Sequence, residues 1–523
     1  MVRMVGWRGI VAAVGVALLA IGPARAQWVE ASSRHFVVYS DQPEARVREF
    51  AERLERFDRA VRVARKMDDP QRSPAVKLAI YVVPDMAAVE RLAGSRGVGG
   101  FYDPRVSGPI AVTPRRGDAG MDRSFSSDVV LFHEYAHHLQ LAELDRPMPR
   151  WLAEGFAEFF STPRFGRDGS VALGQAAKHR ADTFAYADLV PLETMLADEA
   201  KGEDVSTMYA LGWLLTHYLT FEPSRRGQLA GYVDDIAAGM SALDSAKKNF
   251  GSLGKLGNEI SAYLRRPTLP ILEVQPHMLK DIRVDLRRLS PGASAVMPWR
   301  IESLSGVTEE EAPLVAAEVR RVAASYPNDP LVLLTLAEAE IDAENHAAAE
   351  AAADRLLQVE PRSVEARIFK GRAIMERAKK TAGANKAAEF KAARRWFIEA
   401  NKIDTEDPEP LTYFYKSYRE EGVAPTANAV AALHYASNLM PQDADVRMLS
   451  AIQYARDGKL AEARRTLIPI AYSPHQASLG KTAKEMMAKL AAGDAAGALA
   501  IAAKAEKDKE EEKKKEKEKK KKK

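Results

Sequence analysis

The chain of 523 residues contains no cysteine. Disulfide bonds, thiolate metal ligands, cysteine nucleophiles and lipidation of a cysteine are therefore excluded. Any metal ion must be held by His, Asp or Glu side chains. Hydrophobic residues at 46% and charged residues at 28% are close to globular averages. This composition argues against wholesale disorder, a collagen-like structure and a multi-span membrane protein, and the length suits about three domains.

Long apolar runs are also lacking after the first 26 residues: none approaches the roughly 18 residues of a membrane-spanning helix. The first 26 residues predict a secretory signal, because Arg3 and Arg8 precede an apolar stretch at 9–21 and an Ala-Arg-Ala cleavage site at 24–26. An uncleaved anchor is the alternative, for which the stretch is short. We expect an exported, periplasmic or extracellular protein that begins at Gln27 and has no stable membrane span after cleavage.

The formal net charge of +4 comes from the ends of the chain. Residues 1–26 contribute three Arg and no acid, and the tail at 504–523 contributes 12 Lys against 7 Asp and Glu. The body between them is left with 61 basic and 65 acidic residues, a net charge of −4. We therefore predict no nucleic-acid partner. The tail itself predicts a frayed helix or a disordered segment.

The segment after residue 27 alternates between β and α patterns. We expect strands over 35–40, 76–83 and 108–113, and helices over 43–66 and 86–93. A long helix follows and ends before Pro147 and Pro149. The fold class predicted for residues 27–266 is therefore α+β.

The long helix contains the motif H-E-x-x-H as His133-Glu134-Tyr135-Ala136-His137. Residues four apart project from one helical face, so both imidazoles can converge on one ion while Glu134 lies beside it. Two neutral nitrogen ligands and a carboxylate that can take a proton from a metal-activated water are what metal-assisted hydrolysis needs. His138 points away from this face. The other histidines, including His35 and His179, stand isolated in the sequence, and we expect surface or core roles for them.

A catalytic zinc ion usually takes three protein ligands, and two acids compete for the third position. Glu143 lies six residues after His137, but an unbroken helix would carry it about 9 Å along the axis. Glu154 lies beyond the proline break, on a new helix. There Glu154 and Glu158 share one helical face, so Glu158 is placed to accept a hydrogen bond from the outer nitrogen of a ligand histidine.

The two segments together, H-E-x-x-H and W-L-A-E-G-F-A-E at 151–158, resemble the gluzincin metallopeptidases, especially the thermolysin-like domains called peptidase MA-like. The resemblance implies a zincin-like metallopeptidase domain over 27–266, with Zn²⁺ bound by His133, His137 and Glu154 and with Glu134 as the general base. By analogy, the strand at 108–113 would be the edge strand that pairs with a substrate. Related families also carry a Tyr or His that stabilises the oxyanion, for which Tyr209 is the best candidate and His217 its rival. Both could equally belong to a helix that only packs the core.

The second half of the chain is helical and regularly punctuated by proline. Pro327, Pro361, Pro408, Pro441 and Pro474 are separated by 34, 47, 33 and 33 residues, and we interpret the longer interval as an insert around 379–386. Paired amphipathic helices with this period resemble the tetratricopeptide repeat family. This resemblance implies an all-α solenoid over 307–503 for protein binding, joined to the first domain by a linker at 267–306.

We therefore expect an exported zinc metallopeptidase that acts on a protein or peptide substrate, with repeats that hold the substrate or an envelope partner. One alternative is a catalytically inactive adaptor that functions through its repeats. Another is a zinc enzyme that acts on a non-peptide amide or a cell-wall link.

Overall fold

The computed structural model describes residues 27–115, 127–143, 146–202, 204–473 and 477–521. The expected signal at 1–26, Pro474 of the repeat pattern and the last two residues of the tail lie outside these described residues. Within them, no helix has both the length and the apolar character needed to cross a membrane.

A six-stranded mixed sheet forms one layer of the N-terminal half. Across the sheet the strands are β4 (Phe101–Asp103), β5 (Ile110–Pro114), β3 (Leu78–Val83), β2 (Phe36–Ser40), β1 (Val29–Ser32) and β9 (Asp285–Arg288). The β2–β3 and β3–β5 pairs are parallel and the others are antiparallel. Helices α1 (Glu44–Arg65) and α2 (Met86–Ala93) follow β2 and β3. Leu54 and Phe57 of α1 are fully buried in one core with Phe36 and Val38 of β2, because alternate residues of a strand point to one face.

The strands and helices expected up to residue 113 are confirmed, with ends that differ by one or two residues. The expectation that 108–113 is an edge strand is wrong. β5 pairs with β4 on one side and β3 on the other, and in the described part of the chain β4 is the outermost strand there. Three residues are too few to show an alternating pattern, so β4 carries no clear strand signal in the sequence.

The rest of the N-terminal half is mainly helical. Its helices are α3 (Ser127–Glu143), α4 (Arg150–Phe160), α5 (Ala181–Tyr186), α6 (Leu192–Leu196), α7 (Asp204–Phe221), α8 (Gln228–Ala237), α9 (Ala242–Phe250) and α10 (Leu253–Leu264). Short 3₁₀ turns occur at Pro74–Val76, Lys178–Arg180, Pro223–Arg225 and Pro276–Met278. A three-stranded antiparallel sheet of β6 (Arg164–Phe165), β7 (Val171–Leu173) and β8 (Leu272–Val274) lies beside them. Pro149 precedes α4 directly and separates it from α3.

The segment 267–306 is more than the linker expected from the sequence. β8 completes the small sheet, β9 completes the large sheet by pairing with β1, and α11 (Pro291–Leu304) begins the C-terminal helical array. β9 has the sequence Asp-Leu-Arg-Arg and is mostly exposed, so it lacks the apolar alternation that marks a half-buried strand.

The C-terminal half is an array of antiparallel helix pairs that resembles tetratricopeptide repeats. After α11 its helices are α12 (Ala312–Ser325), α13 (Pro330–Asp342), α14 (His346–Val359), α15 (Val364–Lys380), α16 (Ala384–Ile403), α17 (Pro408–Glu421), α18 (Ala427–Leu439), α19 (Ala444–Arg456), α20 (Leu460–Ala471), α21 (Ala477–Ala491) and α22 (Ala495–Lys521). The 47-residue interval reflects two longer helices that meet near the expected insert at 379–386, since α15 has 17 residues and α16 has 20. α22 continues through the described part of the lysine-rich tail.

Candidate functional site

The site is built on α3, where His133 and His137 lie one turn apart on the same face. Their Nε2 atoms are 3.2 Å apart and both rings are buried. α3 is unbroken to Glu143, so the motif is wholly helical and the alternative acid lies further along the helix axis. The two imidazoles therefore converge, as the four-residue spacing predicts.

Glu154 reaches the same point from α4. Its Oε2 atom is 3.2 Å from Nε2 of His133 and 3.3 Å from Nε2 of His137. The side chain is fully buried. Three side chains of types that can ligate a metal ion thus meet at one buried point.

The spacing of these three atoms fits a zinc ion. Zinc binds His nitrogen and carboxylate oxygen at about 2.0–2.2 Å in a tetrahedron, whose ligand atoms are then about 3.3–3.5 Å apart. The observed separations are 3.2, 3.2 and 3.3 Å. A nearly equilateral triangle of this size can cap one face of a tetrahedron and leave the fourth position open, which is the arrangement of a catalytic zinc site.

The carboxylates of the cluster remain ionised despite burial. Burial tends to raise the pKa of Glu154, but His137 and His133 hold it well below its ordinary value. Burial tends to lower the pKa of His133, yet its contacts with Glu154 and Glu158 outweigh burial and raise that pKa to about 10. The cluster therefore favours positive charge at its centre, supplied either by a proton or by a cation.

Glu158, one turn after Glu154, links the cluster to residues that the sequence analysis missed. Its carboxylate lies 3.4 Å from Nδ1 of His133, 2.7 Å from Nε2 of His179 and 2.5 Å from the Arg180 guanidinium. Contacts with His133 and His179 hold the pKa of Glu158 well below its ordinary value, although burial acts in the opposite direction. Glu158 thus contacts the outer nitrogen of a candidate ligand, as predicted. His179 has a buried side chain, and its isolated position in the sequence carries no signal for this contact.

Tyr209 lies beside the cluster on α7. Its ring stacks against His133 with the ring centres 6.0 Å apart, and the Arg180 guanidinium lies 5.0 Å from the centre of the tyrosine ring. Burial and the nearby Glu154 carboxylate raise the pKa of the phenol, so it keeps its proton at neutral pH. A protonated phenol at this place can donate a hydrogen bond to a developing oxyanion.

His217, the rival of Tyr209, lies two turns further along α7 in the core. Its Nδ1 is 2.9 Å from the hydroxyl of Tyr263 and its Nε2 is 3.0 Å from the carbonyl oxygen of Gly174. Burial lowers the pKa of His217 to about 4. Both ring nitrogens are therefore engaged in the core, and only Tyr209 of the two candidates contacts the His133 ring.

Glu134 lines a cavity of about 370 Å³ together with His137. Tyr102 and Asp103 of the outermost strand β4 form another part of its wall. The C-terminal helical array contributes a further part of the wall, which includes Gln442, Arg447 and Ile470. His138 points away from the cluster, where its Nδ1 is 2.7 Å from the Tyr102 hydroxyl. The cavity thus joins the candidate metal centre, the outermost described strand of the large sheet and the helical array.

Comparisons with known proteins give few matches. No protein-family model matches the chain, and no curated protein matches it. Among solved structures, the chain is similar to the crystal structure of a thermophilic TPR protein from Thermus thermophilus. The two share 16% sequence identity over 36% of this chain and 97% of that chain, with a TM-score of 0.32.

Proposed function

We propose that this protein is an exported, zinc-dependent metallopeptidase whose N-terminal half is a zincin-like domain related to the gluzincins. The observation that carries the proposal is the triangle formed by Nε2 of His133, Nε2 of His137 and Oε2 of Glu154, with sides of 3.2–3.3 Å, at a cavity that Glu134 also lines. Neutral imidazoles and one carboxylate form the ligand set that catalytic zinc takes in hydrolases.

Each residue of the site would have a distinct role. Zinc, when bound, would supply a Lewis acid that polarises a carbonyl group and lowers the pKa of water. Glu134 would accept a proton from the attacking water and return it to the leaving amine. Tyr209 would donate a hydrogen bond to the oxyanion, and Glu158 would orient His133 through its outer nitrogen.

The strongest alternative is an inactive adaptor that acts through its repeats. A scaffold has no need of a carboxylate at position 134, and a metal-holding cluster would serve it only for stability. Hydrolysis of a non-peptide amide or a cell-wall link would use the same residues. Only the identity of the substrate distinguishes that function from peptide hydrolysis.

The decisive experiment compares wild type with Glu134→Gln in the full mature chain. We expect equal zinc content by elemental analysis, cleavage of an unfolded protein mixture by the wild type, and no cleavage by the variant. Equal cleavage by both proteins would refute the role of Glu134. Cleavage of peptidoglycan fragments but not of polypeptides would refute the peptidase function and support hydrolysis of a cell-wall link.

A second pair of variants tests the ligand set. Glu154→Ala should lose zinc sharply, whereas Glu143→Ala, which removes the competing acid, should keep it. The reverse result would place the third ligand on α3 and would exclude a gluzincin site.

A further inference from the structure

The phenol ring of Tyr209 packs against two planar groups. The imidazole of His133 is stacked on it, with the two ring planes 29° apart, and the guanidinium of Arg180 lies over the ring. Tyr209 is half-buried on α7, and the Glu154 carboxylate interacts with its hydroxyl. The contacts on the ring therefore come from flat groups, while the hydroxyl faces the ligand cluster.

Arg180 is itself fixed by the 3₁₀ turn Lys178–Arg180. Its guanidinium lies 2.5 Å from Oε1 of Glu158, and Nε2 of the preceding residue, His179, lies 2.7 Å from Oε2 of the same carboxylate. The backbone N–H of Arg180 donates a hydrogen bond of 2.8 Å to the carbonyl oxygen of Ala177. Two successive side chains of the turn thus contact both oxygens of one buried carboxylate.

The segment that follows the turn is anchored to the helix of Tyr209. Phe184 of α5 packs edge-on against Trp213 of α7, with the ring centres 6.2 Å apart. Trp213 is buried and lies one turn beyond Tyr209. Arg180 therefore reaches Tyr209 from a segment that contacts both α4 and α7.

We propose that Arg180 is a positioning residue, which holds the Tyr209 ring so that the hydroxyl stays directed at the oxyanion. The inference rests on the proposed function, since it assigns a further residue to the same reaction. A guanidinium over an aromatic face is attracted by the ring, and more strongly where water is excluded. The Arg180 side chain is only 20% exposed, and its partner Glu158 is 2% exposed.

The same arginine connects the two sides of the site. The carboxylate that it contacts also lies 3.4 Å from Nδ1 of His133, a candidate zinc ligand. A half-buried tyrosine that loses the guanidinium can adopt other orientations, and in those molecules the hydroxyl no longer reaches the reacting group. Loss of Arg180 should therefore lower the rate only through Tyr209.

The kinetic test is a double-mutant cycle in the full mature, zinc-loaded chain. On a peptide that the wild type cleaves, Arg180→Met should lower kcat by about threefold to thirtyfold, the effect of one cation–π contact. KM and zinc content should change little. In the Tyr209→Phe background the same substitution should change kcat by less than about twofold, because no hydroxyl is left to position.

Arg266→Met is the matched control. Arg266 also lies over a tyrosine ring, 4.6 Å from the ring centre of Tyr263, and also pairs with a glutamate, 3.3 Å from Glu222, but it lies outside the site. This variant should keep the wild-type kcat. Arg180→Lys retains a charge for Glu158 but lacks the planar guanidinium, so it should recover only part of the lost kcat.

A second readout needs no turnover and uses protein labelled with 3-fluorotyrosine. The fluorine resonance of Tyr209 is identified by its loss in Tyr209→Phe. Arg180→Met should shift this resonance toward that of free 3-fluorotyrosine, whereas Arg266→Met should leave it in place. If Arg180→Met does not fold, Arg180→Lys replaces it in both readouts, with changes expected in the same direction.

The inference is overturned if the Tyr209 resonance stays unchanged without the Arg180 guanidinium, if Arg266→Met shifts it equally, or if kcat falls equally in both backgrounds of the cycle. Glu134-dependent cleavage with no effect of Arg180 on either readout would refute only the inference. If the wild type cleaves no peptide, the peptidase proposal fails, and the fluorine resonance alone decides whether Arg180 holds the ring.

Discussion

Gly155 of α4 and Gly212 of α7 bring two helix backbones into direct contact. A Cβ atom at Gly155 would lie 2.4 Å from the carbonyl oxygen of Gly212, and one at Gly212 would lie 2.6 Å from the carbonyl oxygen of Trp151. Both distances are too short for any side chain. The close crossing brings α4, with Glu154 and Glu158, against α7, which carries Tyr209.

Replacing either glycine by alanine should therefore separate the helices. At each position the obstructing atoms include a backbone carbonyl oxygen that cannot swing away, so we expect Gly155→Ala and Gly212→Ala each to cost about 1–3 kcal/mol of unfolding free energy. Both variants should also lose activity, because Tyr209 would shift relative to Glu154. Denaturant unfolding and peptide cleavage measure the two effects.

Gly257→Ala is the matched control for these variants. Gly257 lies in α10, and a Cβ there would meet nothing within 4 Å. Alanine should stabilise this helix by about 0.5–1 kcal/mol. Destabilisation at Gly257 comparable to that at Gly155 would show that helical glycines matter here for a reason other than close approach.

The ligand cluster could be predicted from the sequence because its parts are short and periodic. His133 and His137 share a helical face by spacing alone, and the segment around Glu154 carries its own helical pattern. His179 and Arg180 could not be found in this way, because a 3₁₀ turn brings them to Glu158 from more than 20 residues away. Arg447 is further still from the motif, and only the docking of the helical array places it at the cavity.

Tyr209→Phe should lower kcat by about a hundredfold to a thousandfold, the usual effect of removing one oxyanion donor. KM should change little, because the hydroxyl acts on charge that develops in the transition state. Zinc content and unfolding free energy should stay at the wild-type level. Steady-state kinetics on a cleaved peptide, with zinc analysis of the same sample, checks this prediction.

His217→Gln should behave in the opposite way. It disturbs a buried imidazole that contacts Tyr263 and Gly174, so we expect a loss of about 1–3 kcal/mol of unfolding free energy. The folded fraction should keep its kcat. A large fall in kcat for folded His217→Gln, with none for Tyr209→Phe, would assign stabilisation of the oxyanion to His217 instead of Tyr209.

Glu158→Gln should weaken zinc binding by about tenfold to a hundredfold, as is typical when the partner of a ligand histidine is changed. The amide cannot supply the negative charge that Glu158 shares with His133, His179 and Arg180. Competition with a zinc chelator measures the affinity. Glu193→Gln removes a carboxylate from an exposed ion pair with Lys247 and should leave zinc affinity unchanged. Equal zinc affinity of Glu158→Gln and wild type would show that Glu158 does not support the metal site through His133.

An ion network behind α3 predicts a pH dependence of stability. His35 is half-buried between carboxylates, with Nδ1 2.9 Å from Glu55 and 3.3 Å from Asp58, and Nε2 3.0 Å from Asp69. The Tyr135 hydroxyl, from within the H-E-x-x-H motif, donates a hydrogen bond of 2.8 Å to Asp58. Burial tends to lower the pKa of His35, but Asp58 and Glu55 outweigh burial and raise it above 6.5.

A raised pKa means that the folded state binds the His35 proton more tightly than the unfolded state does. The resulting stability is fully present below the unfolded value of 6.5 and is lost as the pH rises through the folded pKa. The difference in melting temperature between wild type and His35→Gln should therefore be largest near about pH 6 and should shrink as the pH rises above the unfolded value. His277→Gln, which changes an exposed histidine, should show no such trend. A difference for His35→Gln that grows with pH would mean that the network holds a neutral imidazole and that Arg62, beside Asp58, and Arg34, beside Asp69, supply its positive charge.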